Sequence, residues 1–177
     1  MTDQPARSMA RAPKPAGLRI SGVTFAHCAL LARLHGLCFE EAWNSATVAQ
    51  VLRLTGAFGL LATLPERSDP LFPGSDDRAP AGFALVAGAL DERELLSLGV
   101  PLQHRRRGIA TALIEGVIDR VRAEGVVRLF LEVAEDNDDA RRLYASFGFE
   151  QIGRRPGYYT RREGPSVPAL TLALKLA

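Results

Sequence analysis

The stretch Leu98-Gly99-Val100-Pro101-Leu102-Gln103-His104-Arg105-Arg106-Arg107-Gly108-Ile109-Ala110-Thr111 passes from an apolar strand end through a basic turn into the start of a long helix. Before it, Glu94 to Val100 reads as a strand, closed by Pro101, which has no N–H to give a sheet ladder. After it, a helix is expected over Arg106 to Glu124, with Leu113, Ile114, Val117, Ile118 and Val121 at helical spacing and Gly125 ending it. Val126 to Ala134 then reads as a further strand. A strand, a crossover helix and a second strand in this order predict one parallel pair in the sheet.

Working outward, Leu18 to Val23 reads as an opening strand, followed by a helix from Thr24, its cap, to about Cys38, with Leu30, Leu31 and Leu34 on one face. Ser45 can cap a second helix reaching about Leu54. The loop between these helices, Phe39 to Asn44, carries the only tryptophan, Trp43. Two apolar runs, Ala57 to Thr63 and Ala81 to Leu90, are strands joined by a long loop, Leu64 to Pro80, rich in Pro, Asp, Ser and Gly. Downstream, a short helix is expected over Asp138 to Phe147, then strands over Phe149 to Arg154 and Ala169 to Leu176. The order β-α-α-β-β-β-α-β-α-β-β argues for an α/β chain of the mixed α+β kind. Its sheet is mostly antiparallel with a central parallel pair, rather than doubly wound.

The remaining totals narrow the class. With 177 residues, 47% hydrophobic and 24% charged, the chain suits one globular domain, taken as 17–177 behind a disordered leader, 1–16. A net charge of +2 does not call for a nucleic-acid partner, and no apolar run reaches membrane-span length. The leader lacks the apolar middle of a signal peptide. Cys28 and Cys38 show no metal spacing and no disulfide framework, and His27, His35 and His104 form no ligand cluster with them. Free buried thiols, no metal and a reducing cytoplasmic setting are the expectation.

The basic turn is where chemistry is expected. A helix N-terminus presents unpaired N–H groups and the positive end of the dipole, which together suit a phosphate. Gly108 allows close backbone approach, Ala110 adds little bulk, and the arginines offer charge-assisted bonds. Two plainer readings stay open: a solvated basic turn at the head of an amphipathic helix, or a nucleic-acid patch on Arg105, Arg106 and Arg107. The second lacks interleaved aromatics.

Arg105-Arg106-Arg107-Gly108-Ile109-Ala110 resembles the acetyl-CoA pyrophosphate loop of GNAT acetyltransferases, Arg/Gln-x-x-Gly-x-Gly/Ala. Leu131-Glu132-Val133, the run Asn137-Asp138-Asp139-Ala140-Arg141-Arg142-Leu143-Tyr144, Phe147-Gly148-Phe149-Glu150 and the pair Tyr158-Tyr159 are similar to the RimI-like ribosomal-protein-alanine N-acetyltransferases, and Asp91 to Leu96 fits the same pattern. The resemblance covers roughly Phe39 to Leu176 and is weakest over Leu64 to Pro80. It implies a GNAT-like fold whose parallel pair splays around acetyl-CoA, the co-substrate. It also implies acetyl transfer to a primary amine, the N-terminal α-amine of a protein such as a ribosomal protein. A small-molecule amine acceptor, or a non-catalytic acetyl-CoA-binding module, are the alternatives.

The same resemblance implies roles residue by residue. Glu132 is the general base, or a rim carboxylate that orients the acceptor ammonium. Tyr144 is the general acid for the coenzyme A thiolate, or a packed helix tyrosine. Leu98 and Val100 offer backbone groups to the pantetheine arm, and Asn137 contacts that arm while also capping its helix. Gln103, Arg105, Arg107, Gly108, Ala110 and Thr111 surround the pyrophosphate. Trp43, Tyr158 and Tyr159 form the acceptor-side wall, with core packing as the alternative for each. The chain departs from the family where Ser166-Val167-Pro168 replaces an acidic pair before the last strand, which bears on peptide recognition.

Overall fold

A computed structural model describes residues 13–65, 78–160 and 164–176, so most of the leader and of the Leu64–Pro80 loop fall outside the described residues. The elements follow the expected order: β1 (Arg19–Gly22), α1 (Cys28–Gly36), α2 (Ser45–Val51), β2 (Phe58–Leu64), β3 (Ala79–Ala87), β4 (Glu92–Gly99), α3 (Ile109–Ala123), β5 (Arg128–Ala134), α4 (Asp138–Ala145), β6 (Glu150–Tyr159) and β7 (Val167–Lys175). They build one seven-stranded sheet in the order β1-β2-β3-β4-β5-β7-β6. Every described pairing is antiparallel except β4 with β5, the pair that α3 connects.

Each face of the sheet has its own core. On one face Ile109, Leu113, Ile114, Val117, Ile118 and Val121 of α3 pack with Leu60, Ala84, Val86, Leu95, Leu129, Leu131, Val133 and Leu172. Tyr144 and Phe149 belong to this same cluster. On the other face Leu31, Leu34 and Val48 of α1 and α2 cover Leu61, Phe83 and Leu85. Strand alternation sorts the residues: in β5, Leu129, Leu131 and Val133 are buried against the α3 face, so Phe130, Glu132 and Ala134 point to the α1/α2 face.

Four local readings need correction. The helix expected from Arg106 begins at Ile109, because Arg106 (φ 60°) and Gly108 (φ 74°) are left-handed and cannot lie within a right-handed helix. A short 3-10 turn, Leu102–His104, precedes it. The cap of α2 is Asn44 rather than Ser45: its side-chain oxygen accepts from the Thr47 N–H at 2.9 Å. Thr24 does stand at an N-cap, but of a 3-10 turn, Phe25–His27, that leads into α1. The strand expected over Phe149 to Arg154 runs on to Tyr159, which carries Arg155 and Tyr158 onto the sheet.

Candidate active site

The parallel pair parts where the chemistry is expected. β4 and β5 pair from Glu92↔Arg128 only as far as Leu95↔Leu131. Beyond that point β4 stays with β3 (Ser97↔Leu85, Leu98↔Ala84, Gly99↔Phe83) and β5 stays with β7 (Glu132↔Thr171, Val133↔Leu170). A wedge therefore opens between Leu96–Gly99 and Glu132–Ala134, the splay that the family resemblance implies. Leu98 and Val100 are half-buried on its α3 side, with their backbone along its edge.

At the head of α3 the turn fits a diphosphate. Two left-handed residues bracket Arg107, an arrangement that turns successive N–H groups toward one side. The first backbone bond of the helix runs from the Ala112 N–H to the Gly108 carbonyl at 3.0 Å. The N–H groups of Ile109, Ala110 and Thr111 precede it and face out of the helix end. No acidic residue stands in the first turn to compete for them. The arginines are held in distinct ways. Arg105 Nε donates to the Val100 carbonyl at 3.1 Å, Arg106 pairs with Asp139 at 3.3 Å, and Arg107 meets His104 Nδ1 at 3.4 Å. Arg105 thus lies along the wedge edge rather than over the turn. Gln103 is exposed beside it, whereas Thr111 is buried within α3.

Asn137 caps α4, its side chain accepting from the Ala140 N–H at 3.2 Å. The α4 helix sets Tyr144 into the α3-side core, edge-on to Phe149 at 5.6 Å between ring centroids. Burial pushes the Tyr144 phenol up, and the neighbouring Tyr159 adds to this, so its proton is retained well above neutrality.

On the opposite face a cleft of about 330 Å³ is lined by Glu94, Phe130, Glu132, Arg155, Tyr158 and Thr171, with Leu131 at its base. Arg155 Nη1 donates to Glu132 Oε1 at 2.9 Å, the Tyr158 hydroxyl donates to the same carboxylate, and the Arg155 guanidinium lies 4.2 Å over the Tyr158 ring. Tyr158 is 44% exposed and edge-on to Tyr159 at 5.1 Å, so of the two it is Tyr158 that faces the cleft. Burial raises the Tyr158 phenol, and its bond to Glu132 raises it further. The Glu94 carboxyl is also pushed up, first by burial and then by the negative charge of Glu132, against the opposing pull of Arg155.

Trp43 belongs to the neighbouring wall. Its ring stacks on His35 at 4.7 Å, and its backbone N–H donates to His35 Nδ1 at 3.2 Å. His35 also packs against Phe39 and Phe83, and burial lowers its pKa from 6.5 to about 4. This neutral histidine braces the Phe39–Asn44 loop from below. Thr160 Oγ1 donates to Glu41 at 3.1 Å, joining that loop to the end of β6.

The structure thus brings Glu132 and Tyr158 together and places Trp43 and Tyr159 on adjoining surfaces. Sequence reasoning missed Glu94, Arg155 and His35. A charged residue on the strand paired in parallel with the Glu132 strand was a usable signal for Glu94. Arg155 lay beyond the expected end of β6, and only packing reveals what His35 holds.

Comparison with known proteins agrees with this geometry. Residues 29–149 match the model of the acetyltransferase (GNAT) family. Over 103 residues the chain is 38% identical to the [ribosomal protein bS18]-alanine N-acetyltransferase of Salmonella typhimurium, spanning 58% of this chain and 68% of that protein. The Escherichia coli enzyme of the same name is 36% identical over 97 residues, 55% of this chain and 65% of that one. The alignments thus reach about two thirds of these relatives' lengths. The crystal structure of the ribosomal-protein-S18-alanine N-acetyltransferase from Escherichia coli superposes with a TM-score of 0.74 at 26% identity, covering 90% of this chain and 94% of that one. Arabidopsis thaliana NAA60 in complex with a bisubstrate analogue shares the fold, with a TM-score of 0.75 at 22% identity over 89% of this chain and 97% of that one. The parted β4–β5 pair, the left-handed turn at the head of α3 and the match across residues 29–149 converge: the chain belongs to the acetyltransferase (GNAT) family and is an acetyl-CoA-dependent N-acetyltransferase.

Proposed function

We propose that the protein acetylates the N-terminal α-amine of a protein or peptide, with a ribosomal protein as the acceptor that its bacterial relatives suggest. The observation that carries this reading is the wedge between β4 and β5, with the Glu132 carboxylate on one side of the sheet and the buried Tyr144 phenol in the core on the other. Bound acetyl-CoA supplies a thioester, an acyl group already activated toward an amine. The chain must hold its diphosphate, leave the amine unprotonated at the carbonyl carbon, and meet charge on the sulfur.

The first task falls to the N–H groups of Ile109, Ala110 and Thr111 beside Gly108, with Asn137 and the backbone of Leu98 and Val100 along the wedge. Arg107 and Gln103 flank the turn, while Arg105, bonded to the Val100 carbonyl, lies along the wedge edge. The second falls to the carboxylate side of the cleft, where Glu132 draws the ammonium and Tyr158, with Tyr159 and Trp43 on the adjoining surfaces, bounds the acceptor. The third falls to Tyr144, whose retained proton can be donated to the departing sulfur.

An α-amine suits a site of this kind. With a pKa of about 7.7–8.0, roughly one α-amine in six to one in eleven is uncharged near neutrality, against on the order of one lysine side chain in two thousand at a pKa of about 10.4. Ser166 and Val167 stand where the family's acidic pair would be, so the residues preferred after the α-amine are expected to differ from those of the relatives.

The test is thiol release from acetyl-CoA with a panel of N-terminal peptides, free amino acids and polyamines, followed by mass spectrometry of a peptide carrying both a free N-terminus and an internal lysine. Acetylation of the N-terminus is expected. Turnover confined to polyamines or amino acids, or predominant lysine acetylation, overturns the proposed acceptor.

A further inference from the structure

Arg154 and Arg155 are neighbours in β6, on opposite faces of the sheet, and they are held differently. Arg154 closes on Glu135 in a two-point fork, Nε and Nη2 donating to the two carboxylate oxygens at 2.7 and 2.8 Å, so its charge is answered within the fold. Arg155 gives Glu132 a single bond, from Nη1 to Oε1 at 2.9 Å. It also lies 4.2 Å over the Tyr158 ring and bonds with the hydroxyl of that residue. A guanidinium carries five N–H donors. Those that Glu132 and Tyr158 leave over have no partner among the described residues, and the Arg155 side chain is 58% exposed where it lines the cleft.

The cleft therefore has two poles. One is negative: Glu132, with Glu94 beside it on β4. Val86 pairs with Leu95 but Leu85 pairs with Ser97, so β4 carries an extra residue, and the slip sets Glu94 and Ser97 together on the α1/α2 face. Glu94 there meets the charges of both Glu132 and Arg155. The other pole is the Arg155 fork, which an ion pair and a stacked ring hold in place before any ligand arrives, so little ordering is left for a ligand to impose. The β7 side of this hairpin end is uncharged among the described residues, 164–169. Ser166 abuts Gly157, its Oγ 3.2 Å from where a Cβ on that glycine would stand, and Val167 pairs with Tyr159. Nothing on that side attracts a basic side chain or repels an acidic one.

We propose that Arg155 is a specificity-determining residue that receives a carboxylate of the acceptor, so that the enzyme prefers an α-amine followed by an acidic second residue. This rests on the reading that the cleft takes an N-terminal α-amine. The acceptor ammonium lies with the negative pole, and its neighbouring carboxylate takes the remaining Arg155 N–H groups. A planar fork offers a carboxylate two parallel bonds, each stronger than a neutral hydrogen bond. The contact lies away from the reacting carbon and is the same before and during acetyl transfer. It therefore acts on acceptor affinity and not on the chemical step.

The experiment measures kcat and KM for peptides of equal length, identical except for aspartate, asparagine or lysine as the residue after an N-terminal alanine. The enzymes are wild type, Arg155→Gln, Arg155→Lys and Arg155→Glu, each checked for folding by circular dichroism. Wild type should favour aspartate over asparagine by about fivefold in kcat/KM, the size expected of a half-exposed charge pair, and the difference should lie in KM. The ratio should fall to about one in Arg155→Gln and keep its direction in Arg155→Lys. In Arg155→Glu the lysine peptide should overtake the aspartate peptide. A merely structural role for Arg155 would slow all three peptides alike and leave the ratios standing. A wild-type ratio below about twofold, or a ratio that survives Arg155→Gln, overturns the assignment, and the wild-type ratio decides alone if a variant does not fold. Acetylation of the α-amine without a preference for aspartate overturns this inference only. Turnover confined to polyamines or free amino acids overturns it together with the peptide reading beneath it.

Discussion

Glu132 and Tyr144 lie on opposite faces of the sheet. Glu132 lines the open cleft on the α1/α2 side, whereas Tyr144 packs with Leu129, Leu131 and Val133 beneath it. The two can serve one reacting carbon only through the gap where β4 leaves β5. In the proposed division of labour, that arrangement keeps proton removal from the amine and proton delivery to the sulfur on opposite sides of the sheet.

Tyr144→Phe keeps the ring and its edge contact with Phe149 but removes the hydroxyl. kcat should fall about 10²-fold or more when chemistry limits the rate, with little change in acetyl-CoA affinity. Steady-state and single-turnover rates at saturating cofactor check this, and a wild-type rate in single turnover refutes the donor role. Because burial holds the folded phenol above its usual 10, native Tyr144 keeps a proton that the unfolded chain loses, so stability should fall as pH rises past about 10. The Tyr144→Phe protein should show a shallower alkaline decline in Tm.

Gly108→Glu should weaken acetyl-CoA binding by at least tenfold. It sets a negative side chain at the helix end that is expected to receive the diphosphate, on a residue with φ 74°. Forcing a side chain into that conformation also costs about 1–2 kcal/mol of stability. Gly108→Ala should carry the strain alone, so comparing the two variants by calorimetry and melting separates charge from backbone. Equal acetyl-CoA affinity in Gly108→Glu and Gly108→Ala would remove the diphosphate from this turn.

His35 gives a stability prediction in acid. Its pKa falls from 6.5 to about 4 on folding, so between those values the unfolded chain binds a proton that the native state does not. Stability from this residue is therefore complete above about pH 6.5 and is lost as pH falls toward about 4. His35→Gln should be less stable at pH 7.5, since the stack with Trp43 is lost, yet its Tm should fall less between pH 6.5 and 4.5. Its acceptor KM should rise, because the Phe39–Asn44 loop loses its brace.

Asn44→Ala should destabilise the protein by about 1 kcal/mol, the common cost of losing an N-cap side chain. Ser45→Ala, at the position the sequence pointed to as the cap, should cost only a few tenths of a kcal/mol. Chemical denaturation of the two variants distinguishes them, and a larger effect at Ser45 would contradict the observed cap.

The order of elements and the parallel pair were legible in the sequence because each rests on local chemistry. Helical spacing in Leu113 to Val121, the proline and glycine at the turn's flanks and the asparagine before α4 all act within a few residues of themselves. The family pattern added Glu132 and Tyr144 as the residues proposed for catalysis, since strand end and helix each carry their own signature. Other features were decided only by tertiary structure. The helix start moved to Ile109 because Arg106 adopts a left-handed backbone that no residue preference announces. The extra residue in β4 turns Glu94 and Ser97 to one face, and a bulge depends on the partner strand rather than on its own sequence. Arg155 reaches Glu132 only because β6 continues past Arg154 alongside β7, and His35 matters only through the loop it stacks beneath. Contacts between residues far apart in the chain, where no periodicity links the partners, were the part that folding itself had to supply.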